Sequence, residues 1–257
     1  MRYALISDIH ANLPALEAVL ADIEQHDVNA VYHLGDLVGY APWPNEVVAL
    51  LRSRGIAGVA GNYDSTVGTR YKHCGCRYED PKQEALSHVS FEWTREHCSE
   101  ATRQYLEALP FRIDLKPLGG HAAGPTIILV HGTPTLNTLY WTENRPDSFC
   151  AQMANIAGAK AGDVLSFGHT HLPWTRVVEG IRYVNTGSVG RPKDGDARAG
   201  YTILAVAPDG SVTIDHRRIQ YDVSRASAAI RDSTLPDEFS WYLESGGTSL
   251  TPAKMHE

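Results

Sequence analysis

No apolar run in the 257 residues approaches the ~20 that a membrane-spanning helix needs, which excludes a helical membrane protein. Only Tyr3-Ala4-Leu5-Ile6 precedes the polar Ser7-Asp8, too short for the core of a secretory signal, so the expected location is cytoplasmic. Cysteine is scarce. Cys74, Cys76, Cys98 and Cys150 are expected to be reduced thiols in that compartment. Cys74-Gly75-Cys76 has no second pair at zinc-site spacing and reads as a plain loop. Basic charge is also short: 23 Lys and Arg face 30 Asp and Glu, a net charge of -7, which disfavours long duplex nucleic acid as a partner. Small phosphates stay open, because bound cations can outweigh a protein's local charge. There is no internal repeat, low-complexity segment or evident linker. The chain reads as one domain over residues 1–244 with a polar tail over 245–257 expected to be disordered. Oligomeric state is not readable.

What is present is an ordinary globular composition, 43% hydrophobic and 21% charged, arranged in a repeating pattern. Arg2–Ile6 reads as a strand. Asn12 then caps a helix in which Leu16, Val19, Leu20 and Ile23 follow the i, i+3, i+4, i+7 spacing. A strand over 30–34 precedes a helix over 45–54, and a strand over 56–60 ends at Gly61-Asn62-Tyr63-Asp64. This alternation predicts an α/β fold with parallel pairing in the first half. Residues 65–81 read as an irregular loop, and the stretch from Tyr71 to Tyr78 is placed to overhang a cleft. Helices follow over 81–97 and 102–109. The second half is strand-rich, with strands over 111–115, 126–130 and 163–167, a helix over 147–157, hairpins at Glu179-Gly180 and Pro208-Asp209-Gly210, and a helix over 222–232.

Gly168-His169-Thr170-His171 follows the apolar strand 164–167 and places two imidazoles two residues apart. On an extended backbone they would share a face and reach one site; otherwise each could serve one of two adjacent ions. Four further strand ends carry metal-capable groups: Asp8 and His10, Asp36, Asn62, and His131. An Asp after a strand commonly caps a helix, and a His in a turn is commonly just solvated. Five coincidences in one chain favour a shared site. Imidazole, carboxylate and amide oxygen together suit borderline to moderately hard divalent ions. Seven ligands are too many for one tetrahedral zinc but suit two ions if one carboxylate bridges.

The order Asp8-x-His10, Gly35-Asp36, Gly61-Asn62-x-Asp64, His131-Gly132, Gly168-His169-x-His171 resembles the calcineurin-like metallophosphoesterase superfamily, in particular its compact bacterial and archaeal phosphodiesterase branch. The resemblance implies a four-layer αββα sandwich of two mixed β-sheets flanked by helices. It implies two divalent ions, manganese first, with iron or zinc as alternatives. Asp8, His10, Asp36 and His171 would hold the first ion, Asp36 would bridge, and Asn62, His131 and His169 would complete the second. Asp64 would orient a ligand or proton donor. The implied reaction is hydrolysis of small or nucleotide-like phosphodiesters by a metal-bridging hydroxide. The alternatives are a phosphomonoesterase or dinucleoside polyphosphate hydrolase with the same site, or a catalytically weak metal-binding scaffold. Tyr63 stands where many members have a His credited with protonating the leaving group, and a phenol's reference pKa near 10 is a poor match to that task. Arg191, on the Gly-rich stretch after the strand 181–185, and Asn12 are candidate substrate contacts.

Overall fold

The structure is a computed structural model and describes residues 1–76, 80–117 and 124–251. The Gly-rich turn around 118–123, the far end of the expected overhanging loop (Arg77 and Tyr78) and residues 252–257 of the expected tail lie outside the described residues.

Two mixed five-stranded sheets stack face to face, each covered by helices on its outer side. The first has the order β10-β9-β1-β2-β3, from β1 (Arg2–Ile6), β2 (Ala30–His33), β3 (Ala57–Gly58), β9 (Ala199–Val206) and β10 (Val212–Ile219). Its centre is parallel, β1 on β2 and β2 on β3, while β9 runs antiparallel to β1. The second has the order β4-β5-β6-β8-β7, from β4 (Ile113–Leu115), β5 (Ile127–Leu129), β6 (Val164–Phe167), β7 (Trp174–Val178) and β8 (Ile181–Asn185). Here β5, β6 and β8 are parallel.

The alternation of strand side chains decides which residues meet in which layer. Along β1, Tyr3 and Leu5 point between the sheets, where they join Leu34, Val59, Ile127, Leu129, Val164 and Val184. Ala4 and Ile6 point the other way, onto α1 (Leu13–Ile23) and α2 (Pro44–Ser53). In the second sheet Ile128, Leu165 and Phe167 face outward onto Trp141 and α6 (Asp147–Ala157). Each fully buried Leu, Ile or Phe contributes about 1.5–3 kcal/mol. The parallel strands of both sheets therefore end on one common edge, where strand-to-helix loops gather.

The sequence reading of most elements agrees within a few residues. A short helix, α3 (Asn62–Gly68), begins where a loop was expected. Its first turn is capped from one side only: Asp64 Oδ2 accepts from the Gly61 N–H at 3.0 Å, and Gly61 has no side chain to return the bond. α4 (Pro81–His97), α5 (Glu100–Glu107) and α7 (Val223–Asp232) follow the expected pattern, whereas α8 (Glu238–Glu244) does not stand out in the sequence. Cys74 and Cys76, expected as reduced thiols in a plain loop, are instead joined in a disulfide; Gly75 between them, at φ +72°, lets the backbone curl enough to bring the sulfurs together.

Candidate metal centre

The strand-end loops are stitched to one another by backbone hydrogen bonds. The Asp8 N–H donates to Gly35 O at 3.0 Å, Gly168 N–H to His131 O at 2.9 Å, and Gly190 N–H to Asp8 O at 3.1 Å. The approach is close enough to require glycine: a Cβ on Gly168 would lie 2.3 Å from Asp8 Oδ2, and one on Gly61 would lie 2.1 Å from Asp36 Oδ1. The same compression is visible in the backbone. Asp8, His10, Asp36, His169 and His171 all sit at positive φ, between 49° and 64°. Such conformations cost of order 1–3 kcal/mol each in non-glycine residues and cluster where function demands a side-chain direction.

The result is two buried groups of three. Asp8, His10 and His171 form one; Asp36, His131 and His169 form the other. The tandem imidazoles are split between them because their backbone is left-handed rather than extended, so the same-face reading does not apply and each ring serves its own group. Asn62 Oδ1 lies 3.2 Å from His131 Nε2, which adds the amide oxygen to the second group. The seven sequence candidates thus converge.

Each carboxylate is held by one oxygen and offers the other. Asp8 Oδ2 accepts from Ser7 Oγ and the His169 N–H, while Oδ1 is buried without a hydrogen-bond partner, 3.3 Å from His171 Nε2. Asp36 Oδ1 accepts from the Tyr63 N–H at 2.9 Å, and its Oδ2 lies between the groups, 3.8 Å from His10 Nε2 and 3.4 Å from His131 Nε2. The rings are fixed in the same manner. Nδ1 of His10 donates to Val38 O, Nδ1 of His131 to Leu34 O, and Nδ1 of His171 to Arg191 O. In neutral rings this leaves the Nε2 lone pairs facing inward. His10 and His171 then confront each other lone pair to lone pair at 3.2 Å. A buried carboxylate oxygen with no donor and opposed imidazole lone pairs are the features a divalent cation satisfies, so the residues present fit one ion in each group.

Burial holds His10 and His169 down to about 3 and His171 well below its usual value, the neutral form a metal needs. His131 differs. Burial opposes its charge, but the Asp36 carboxylate beside it outweighs that and lifts it to about 9. That proton offsets the Asp36 charge as a cation would, and metal binding displaces it. Asp64 accepts from the Leu37 and Gly61 N–H groups, and burial followed by the Asp36 charge pushes it above the usual carboxylate range.

Other candidates separate. Arg191 is buried, its guanidinium between the Tyr40 and Tyr242 rings, 3.9 and 4.1 Å from their centroids. Asn12 is fully buried; its Oδ1 caps α1 at Ala15 and its Nδ2 donates to Gly190 O and the Tyr221 hydroxyl, so both ends of the carboxamide hold other parts of the protein. The Tyr63 ring packs against His10, Tyr40 and Phe91, and its hydroxyl donates to Ser87 O of α4 at 3.3 Å. Three residues missing from the sequence reading line the same cavity: Tyr40, Tyr140, stacked on His169 at 4.3 Å, and Lys193; from the expected overhanging loop it is joined by Cys76, whose Sγ accepts from Asn62 Nδ2. Lys193 lies two positions after Arg191 in Gly190-Arg191-Pro192-Lys193, and that spacing was the available signal.

A family profile described as the calcineurin-like phosphoesterase superfamily domain matches residues 1–209. A protein of Methanocaldococcus jannaschii, itself uncharacterised, is 30% identical over 255 residues, covering 91% of this chain and 93% of that one. The crystal structure of a metallophosphoesterase from Sphaerobacter thermophilus is 30% identical, covers 96% of this chain and 100% of its own, and superposes with a TM-score of 0.73. A hypothetical protein from Pyrococcus horikoshii shares the fold at a TM-score of 0.79 and 22% identity, over 96% of this chain and 99% of its own. Among the described residues no helix is long and apolar enough to cross a membrane.

Proposed function

The chain belongs to the calcineurin-like phosphoesterase superfamily, and we propose that it is a dinuclear metal-dependent phosphoesterase that hydrolyses phosphodiester bonds of small or nucleotide-like substrates. The observation that carries this reading is the position of Asp36 Oδ2, shared between the His10 side and the His131 side of two buried ligand groups. Asp8, His10 and His171 would hold one ion and Asn62, His131 and His169 the other, with Asp36 as the carboxylate shared between them. A donor set of imidazole nitrogen and carboxylate or amide oxygen without thiolate accepts manganese, iron or zinc, of which manganese is the one proposed. Two bound divalent ions supply Lewis acidity and lower the pKa of water near them.

The protein's own residues do the rest. The positive-φ loops aim the ligand side chains at one place, tied together by backbone hydrogen bonds, as a preorganised site requires. Asp64 fixes the loops that carry Asp36 and Asn62 by accepting from Leu37 and Gly61 N–H groups. Arg191, clamped between two tyrosines, supplies a fixed cation beside the centre. Tyr63 packs under His10, and Asn12 ties α1 to Gly190; neither is assigned to substrate. The test is turnover of bis(p-nitrophenyl) phosphate and p-nitrophenyl phosphate by protein loaded with manganese, zinc or magnesium. Turnover of the diester with metal, and none after chelation, supports the reading. No turnover of either ester at full metal occupancy overturns it and leaves the scaffold alternative.

A further inference from the structure

Lys193 has no part in the ligand set, yet it lines the cavity formed by His10, Asp36, Asn62, His169 and His171. Burial, followed by the Arg191 charge, lowers it to about 7, while the Asp8 and Asp36 carboxylates act in the other direction, as they do on an amine near the centre. A lysine on a surface loop would normally sample many rotamers. This loop is held. Pro192 fixes its own φ immediately before Lys193. The turn that follows α8 presses on the same segment: Gly195 N–H donates to Gly246 O at 2.9 Å, and Gly247, at φ +86°, lies so close that a Cβ there would meet Lys193 Cα at 2.6 Å. From α8 itself, Tyr242 covers the Arg191 guanidinium. The C-terminal helix and turn thus cover the Arg191 guanidinium and hold the backbone of Lys193 beside a centre that would already be cationic when loaded.

The charges are instructive. Two divalent ions against Asp8 and Asp36 leave a surplus of about two positive charges; Arg191 raises it to about three, and Lys193 to about four once a phosphate oxygen holds its proton; Asp64 removes at most one. A phosphodiester brings one negative charge and two non-bridging oxygens. A terminal phosphoryl group brings a second charge and a third such oxygen, for which the ligand set has no donor.

We propose that Lys193 is a specificity-determining phosphate clamp, its ammonium donating to a non-bridging oxygen of the phosphoryl group at the centre, so that the site retains doubly charged phosphoryl groups as well as diesters. This rests on the phosphoesterase reading for turnover but not for binding. Lys193→Met keeps the length and bulk of the stem and removes the charge; Lys193→Arg restores a cation. The probe is inorganic phosphate, titrated calorimetrically into the manganese-loaded full chain, with bound metal per chain measured in each variant. Lys193→Met is expected to weaken phosphate binding by about tenfold or more, as loss of one charged hydrogen bond does. KM for p-nitrophenyl phosphate should rise by a similar factor, KM for bis(p-nitrophenyl) phosphate by less than about threefold, and metal content should not change. Lys193→Arg should recover most of the phosphate affinity, which a merely structural role would not require. Equal phosphate affinity in wild type and Lys193→Met, or no phosphate binding by the loaded wild type, overturns the proposal. If the wild type hydrolyses neither ester, the phosphoesterase reading fails on its own, and phosphate binding still decides the role of Lys193.

Discussion

Nε2 of His10 and Nε2 of His171 face each other at 3.2 Å, although both rings already donate from Nδ1 to backbone carbonyls. Neither ring can offer the other a proton while neutral, and burial holds both in the neutral form. The contact is a preformed demand for a cation. Saturating manganese is therefore expected to stabilise the fold strongly. At about 1,000 times Kd the linkage is worth about 4 kcal/mol, or roughly 10 °C in melting temperature. Thermal melts with manganese and with chelator check this; coincident melts would mean that the site does not bind in the folded state.

The metal-free protein should lose stability as pH falls below neutral. His10, His33 and His169 have folded values held down to about 3, and His171 is also lowered, all chiefly by burial. Below their unfolded value near 6.5 the unfolded chain takes up protons that the folded one refuses, so stability falls as pH drops. Asp64, raised by burial and Asp36, opposes this with a single proton. His131 acts in the other direction. Its folded value of about 9 gives stability that is full below 6.5 and is lost as pH rises through 9. Lys193, lowered to about 7 by burial and Arg191, offsets that loss above neutral pH, where the unfolded chain holds a proton the folded one has given up. Melting temperatures of chelated protein should rise from pH 5 to about 7 and then level off; a fall from pH 5 to 7 would contradict these shifts.

Asp36→Asn and His131→Ala should each abolish measurable turnover while leaving the far-ultraviolet circular dichroism unchanged. Both remove donors facing the centre, so the loss should exceed the roughly 10–100-fold typical of residues that only orient ligands. Wild-type rates in both would remove these residues from the site.

Tyr63→Phe separates packing from proton donation. The hydroxyl donates to Ser87 O of α4, and the ring is buried against His10 and Phe91. The variant should keep turnover within about twofold and lose about 1 kcal/mol of stability. A drop of more than about tenfold in kcat, concentrated on esters with poor leaving groups, would assign the phenol to the reaction.

The ligand positions were legible because each follows an apolar strand, and parallel strands end on one edge whatever their order in the sheet. The split of His169 and His171 between groups was one of two readings open in the sequence and the one the resemblance implies; the left-handed backbone of both residues, against the extended one a shared face needs, is what the structure adds. α3 was hidden because its cap is Gly61 and its capping carboxylate, Asp64, reads equally well as a site residue. The Cys74–Cys76 bridge was set aside because the sequence argument depended on the expected compartment; the local curl at Gly75 depends on none. Lys193 had only its spacing from Arg191 as a signal; the contact of its backbone with the turn after α8, some fifty positions on in the chain, is not readable in the sequence. Asn12 shows the converse: its capping role was evident, and its other end turned out to hold Gly190.

The account depends most on Asp36 joining two ions. Manganese titration followed by electron paramagnetic resonance tests that directly. The expected result is about two ions per chain with a spin-coupled spectrum, as for ions roughly 3.5–4 Å apart, and loss of the coupled signal in Asp36→Asn. A single ion per chain, or two whose spectra remain those of isolated manganese, would contradict it.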